Sequence, residues 1–171
     1  MAPGFPLRVN NVRIRTVEAL YQACRFPHRS DVQHLILEQR SPMAAKMRSK
    51  PFRRESRPDW DVVRVGVMRW CIRVKLAQNW HKFSFVLKST GDKPIVEESK
   101  KDTFWGARPE NGGRLVGANV LGRLLMELRG ELSGPEFASL HDVPALSIPD
   151  FLLCGEPIRP IQAELRPSGQ R

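Results

Sequence analysis

Cysteine is scarce in this 171-residue chain: Cys24, Cys71 and Cys154 are the three present, odd in number and far apart. No CxxC pair occurs, and none of the four histidines stands at a zinc-ligand spacing from another, so no metal is expected. Free thiols in a reducing compartment follow. No apolar run approaches the roughly 20 residues of a membrane span. The start, MAPGFPLRVNN, has no basic region followed by an apolar core, and does not read as a signal peptide. These absences give the expectation of a cytoplasmic protein with no membrane partner. Internal repeats and low-complexity tracts are also lacking.

Acidic residues are few beside basic ones. Lys and Arg number 28 against 18 Asp and Glu, a formal net charge of +10. Such a field attracts phosphates, nucleic acid or an anionic surface, without saying which. The length suits one domain with a real core, and 41% hydrophobic residues fits an ordinary globular chain.

Taken in order, Phe5 to Ile14 predicts a hairpin around Asn10-Asn11, because Asn tolerates the left-handed turn. Thr16 caps a helix that Pro27 ends. Ser30 with Gln33 predicts a capping box opening a second helix that runs to Arg40. Ser41-Pro42 starts a short third helix closed by Pro51. KPFRRESRP is a basic connector whose charges need serve only solubility. Asp59 starts the longest helix, too long for a strand despite its β-branched content. Its buried stripe is Trp60, Val63, Val67, Cys71 and Val74, with Asp61, Arg64 and Arg73 off it. A further helix covers 81–89, and PIVEES predicts a short strand. KKDTFWGARPENGGRL reads as a loop of functional length. From Gly117 a helix presents Val120, Leu121, Leu124, Leu125, Leu128 and Leu132 on one face. Periodicity fades beyond Gly134, and residues 151–171 read as a flexible, proline-rich tail after a domain spanning 1–150.

The stretch RTVEALYQACRFP organises these pieces. Glu18, Gln22 and Arg25 stand at i, i+4 and i+7, one stripe of a helix. A carboxylate, an amide and a guanidinium so aligned could bind and act on a polar substrate. On spacing alone, a solvated face is the competing reading.

The segments TVEALYQACRF, SPMAAKM, RPDWDVVRVGVMRWCIRVKLAQN, TGDKPIVEESKKDTFWG and VGANVLGRLLMELR resemble, in order, those of the NADAR family of YbiA-like N-glycosidases. The resemblance covers roughly residues 5 to 132. It implies a single α+β domain, mainly helical, with a small antiparallel β element. It also implies cleavage of N-glycosidic bonds in ribose compounds without a cofactor. One branch removes ADP-ribose from guanine bases in nucleic acid, reversing a DNA ADP-ribosyltransferase toxin with which such a protein would be genetically paired. Another hydrolyses early riboflavin-pathway intermediates. The basic charge leans toward the first branch, ADP-ribosylated guanine in DNA, over a ribosylated small molecule. A nucleotide or nucleic-acid binder without turnover is the reading from a different class; pocket carboxylates would speak against it.

Carried onto this chain, the resemblance implies Glu18 as general acid/base and Asp102 as the carboxylate that orients ribose hydroxyls or a water. For the ADP-ribosyl-guanine branch the resemblance implies a Schiff base between a lysine and the opened ribose; many relatives have Lys where Arg25 stands, and a guanidinium cannot form one. Lys46 is therefore the candidate amine, with Lys50 second. Substrate contacts are implied for Tyr21, Gln22, Arg25, Trp60, Trp105, Gly106 and Asn119, the last through the ribose or a phosphate at a helix start. Family members carry an SNF-like segment before the first helix, and MAPGFPL reads as a shortened start in its place.

Overall fold

A computed structural model describes residues 5–110 and 112–163 of the chain. Strands β1 (Leu7–Val9) and β2 (Val12–Ile14) form the expected antiparallel hairpin. Asn10 and Asn11 both take positive φ, 48° and 64°, as a tight two-residue hairpin turn requires. Helix α1 (Val17–Ala23) follows, with Thr16 Oγ1 accepting from the Ala19 N–H at 3.1 Å. Helices α2 (Ser30–Leu37) and α3 (Pro42–Ser49) come next, then a 3-10 turn over Lys50–Glu55. Helix α4 (Trp60–Gln78) is the longest element; α5 (Trp80–Ser89) and α6 (Val120–Glu131) complete the helices.

The remaining strands are two residues each, in antiparallel pairs: β3 (Arg108–Pro109) with β4 (Leu115–Val116), β5 (Asp142–Val143) with β8 (Ile161–Gln162), and β6 (Leu152–Leu153) with β7 (Glu156–Pro157). The protein is α+β, mainly helical, as the sequence predicts. One core joins α1, α2, α4 and α6 through Leu20, Ile36, Ile72, Leu76 and Leu128, all fully buried. Each such side chain contributes roughly 1.5–3 kcal/mol by leaving water. The stripe predicted on α4 is largely buried, with Trp60, Val67, Cys71 and Val74 inside and Val63 at the margin.

Several local expectations are corrected. Ser30 makes no capping box, and the start of α2 has no side-chain cap. Gln33 is instead wholly buried: its Nε2 donates to the carbonyls of Ala23 (3.1 Å) and Leu152 (3.0 Å), and its Oε1 accepts from the Cys154 N–H (2.6 Å). That amide ties residues 151–163 to the body, so this segment is not a flexible tail. Phe151, Leu153, Ile158 and Ile161 are buried, and Asn10 Nδ2 donates to the Glu156 and Pro157 carbonyls. Local proline content gave no sign of these distant partners. The rest of the predicted tail, 164–171, and the first four residues of the chain lie outside the described residues. The predicted strand in PIVEES is also absent; an isolated bridge between Glu98 and Ala107 is the only ladder pairing there among the described residues.

Candidate active site

A cavity of about 690 Å³ opens between α1, α3, α4 and the 97–106 segment. Glu18, Tyr21, Gln22 and Arg25 of α1 and its C-terminal turn line one side, as helical spacing places them. Gln22 Nε2 donates to Glu18 Oε1 at 2.9 Å, while Ser49 Oγ donates to Gln22 Oε1 at 2.8 Å. A buried hydroxyl on α3 thus fixes an amide on α1, which fixes the carboxylate. Burial pushes the Glu18 carboxyl above its ordinary range. The Gln22 hydrogen bond and the charge of Lys46 act against that rise, and Glu97 adds to it.

Aromatic rings form the walls. Tyr21 packs on Trp60 (5.1 Å between centroids) and meets Trp105 edge-on (5.5 Å). Trp60 is buried and Trp105 half-buried, and both face the cavity. Burial, then the nearby Glu18 charge, raises the Tyr21 hydroxyl above its ordinary range, so it stays protonated.

The opposite wall is built by backbone docking. Asp102 Oδ1 accepts from the Phe104 (3.1 Å) and Trp105 (2.9 Å) N–H groups, closing a turn that presents Trp105. Its other oxygen, Oδ2, lies 3.6 Å from Lys46 Nζ. Asp102 is therefore both turn former and cavity carboxylate. Gly106 lies flat on this segment, and a Cβ there would sit 2.2 Å from the Glu97 carbonyl oxygen. That contact is why residue 106 lacks a side chain, and its part in the site is to let the wall close.

Asn119 requires a correction. Its Nδ2 donates to the Ile95 carbonyl (2.9 Å) and its Oδ1 accepts from the Glu97 N–H (3.0 Å). Both ends of the amide are engaged by backbone, and Asn119 is not among the cavity-lining residues. It positions the Glu97–Glu98 wall, and the amide that the resemblance assigns to a ribose or phosphate is engaged by backbone. Of the lysines described, Lys46 lines the cavity and the alternative Lys50 does not. Lys46 Nζ has Asp102 as its ion-pair partner, and Arg25 Nε donates to Ser56 Oγ at 2.6 Å.

Other lining residues escaped the sequence reading: Arg53, Asp61, Arg64, Met68, Glu98 and Phe104 among them. Trp60, Arg64 and Met68 stand at i, i+4 and i+8, so a second stripe beside the buried one was present as a signal. Arg53 lies in the basic connector and had none.

Residues 4–133 match the NADAR domain, and the chain belongs to that family. It is 35% identical over 137 residues to the N-glycosidase YbiA of Escherichia coli, covering 76% of this chain and 78% of that protein. It is 39% identical over 117 residues to a riboflavin biosynthesis protein of Vibrio vulnificus, covering 67% of this chain but only 30% of that protein. The NMR structure of E. coli YbiA superimposes with a TM-score of 0.61 at 32% identity, covering 75% of this chain and 73% of that one.

Proposed function

We propose that the protein is an N-glycosidase that hydrolyses the bond between a ribose and a base, removing ADP-ribose from guanine bases in nucleic acid. The observation that carries the reaction class is Glu18, half-buried, held by Gln22 in an aromatic-walled cavity, with its carboxyl pushed by burial above its ordinary range. Similarity to the N-glycosidase YbiA supports the same class. The net charge of +10 supports a polyanionic substrate.

In this reading the C1′–N bond breaks with both electrons leaving on the base. Glu18 supplies the proton that the departing base takes up. A water oxygen then bonds to C1′, and its proton passes to the Glu18 carboxylate, restoring the acid. Asp102 Oδ2 orients the ribose hydroxyls or that water. Trp105 offers a face on which a base stacks, and Trp60, covered by Tyr21 and Arg25, walls the pocket. A covalent route is open to Lys46: its neutral amine bonds to C1′ as the base leaves, the ring oxygen takes up an amine proton and departs as a hydroxyl to give a Schiff base, and water hydrolyses the C=N bond, returning the amine and the ribose aldehyde.

A second reading, hydrolysis of early riboflavin-pathway intermediates, is favoured by the Vibrio relative and by a chloroplastic riboflavin biosynthesis protein of Zea mays, 37% identical over 133 residues. The chain spans 20% of the maize protein's length. The deciding experiment incubates the protein with ADP-ribosylated DNA and, separately, with those intermediates, following base release by chromatography. Release from the DNA alone supports the first reading. Release from the intermediates alone replaces it with the second, and release from neither rejects both.

A further inference from the structure

Three arginines gather on the cavity, each with donor groups that no acceptor among the described residues takes up. Arg25 lies over the Trp60 ring, 5.4 Å from its centroid, and spends only Nε, on Ser56. Arg64 lies over Phe104 at 4.0 Å; its Nε is buried with no hydrogen-bond partner. Its remaining partner is the highly exposed Asp61, at 3.6 Å. Arg53 is exposed, lines the same cavity, and makes no side-chain hydrogen bond or ion pair among the described residues. Ser56 ties two of them together, because its Oγ accepts from Arg25 Nε and donates to the Arg53 carbonyl at 2.6 Å. The charges of Arg53 and Arg64 both bear on Arg25, whose guanidinium is pushed below its ordinary range by burial first and by Arg53 next. Such crowding of like charges costs free energy unless an anion joins them. An aromatic ring beneath a guanidinium fixes its plane and leaves the N–H edge free, the geometry that grips phosphate oxygens.

We propose that Arg25, Arg53 and Arg64 form a phosphate subsite in the cavity, gripping the 5-phosphate or pyrophosphate of a ribosyl substrate. The sugar in this statement rests on the N-glycosidase reading; the phosphate does not. Arg25 follows from the first helix, whereas Arg53 and Arg64 acquire a role that neither the charge balance nor the stripe on α4 gave them.

The test is calorimetric titration of the full chain with ribose, ribose 5-phosphate and ADP-ribose. The two phosphorylated ligands are expected to bind at least about tenfold more tightly than ribose. Arg53→Ala and Arg64→Lys are each expected to weaken the phosphorylated ligands by about tenfold. Arg64→Lys keeps the charge and the stem but loses the fork, and Arg53 is exposed, so neither threatens the fold. Arg13→Ala, an equal loss of charge on the exposed face of β2, is expected to change nothing. Tighter binding of ADP-ribose than of ribose 5-phosphate identifies a pyrophosphate site; equal binding identifies a monoester site. Equal binding of ribose and ribose 5-phosphate overturns the subsite, as does an Arg13→Ala effect matching that of Arg53→Ala. Arginine-dependent phosphate binding without base release from any substrate leaves the subsite standing and removes the glycosidase; base release with arginine-independent binding does the reverse.

Discussion

Replacing Asn119 separates a scaffold role from a ligand role. The residue has φ 48° and ψ 43°, left-handed geometry that Asn tolerates, Gly adopts freely and Ala resists. Its amide makes two hydrogen bonds to the backbone of Ile95 and Glu97. Asn119→Gly removes both bonds and leaves the backbone relaxed. At roughly 0.5–1.5 kcal/mol per net hydrogen bond, the loss is about 1–3 kcal/mol. Asn119→Ala removes the same bonds and adds the left-handed penalty of roughly 1–2 kcal/mol, for a total of about 2–5 kcal/mol. The expected order of stability is Asn, then Gly, then Ala, read from urea midpoints at unchanged m-value. Hydrogen exchange at the Glu97 amide should quicken in both variants, because its acceptor is gone. A residue that touched substrate without holding the wall would raise KM and leave the midpoints alone. Alanine as stable as glycine, or either as stable as the native chain, refutes the scaffold assignment.

Glu18→Gln keeps the size and polarity and removes the ionisable group; turnover should fall about 100-fold or more, with the far-UV spectrum unchanged, and near-native turnover would dismiss Glu18 as the acid/base. Borohydride added during turnover should trap an adduct on Lys46 that Lys46→Arg abolishes and Lys50→Arg leaves in place; mapping the adduct to Lys50 by mass spectrometry would reverse that assignment. Lys75 is buried between Phe5 (4.1 Å) and Phe83 (3.9 Å), and burial lowers its pKa from 10.5 to about 8. Between those values the unfolded chain holds more protons than the folded one, so this group makes stability rise with pH from about 8 to 10.5. Lys75→Met should remove that rise and stabilise the protein at pH 7 by roughly 1–3 kcal/mol, less whatever attraction the two rings had supplied; a denaturation series with the same pH slope in both proteins would contradict this.

What could be read from the sequence was what repeats along it. The Glu18–Gln22 pair and the leucine face of α6 follow from a period that any helix imposes, and the hairpin from two asparagines that accept positive φ. The assignments that failed concern side chains whose partners are backbone atoms far along the chain. Gln33 fits a capping box by spacing, yet its amide serves residues 152 and 154. Asn119 fits a ligand at a helix start, yet its acceptor and donor lie at 95 and 97. Peptide groups carry no side-chain signature, so no pattern marks the residue that an amide will meet. Gly122 extends the same argument. In the sequence it is one weak position in a good helix, costing about 1 kcal/mol relative to alanine. In the structure a Cβ there would stand 2.2 Å from the Ile95 oxygen and 2.4 Å from Asn119 Nδ2. The glycine that weakens the helix is what lets the Asn119 amide lie across it, and through that amide α6 sets the wall opposite Glu18.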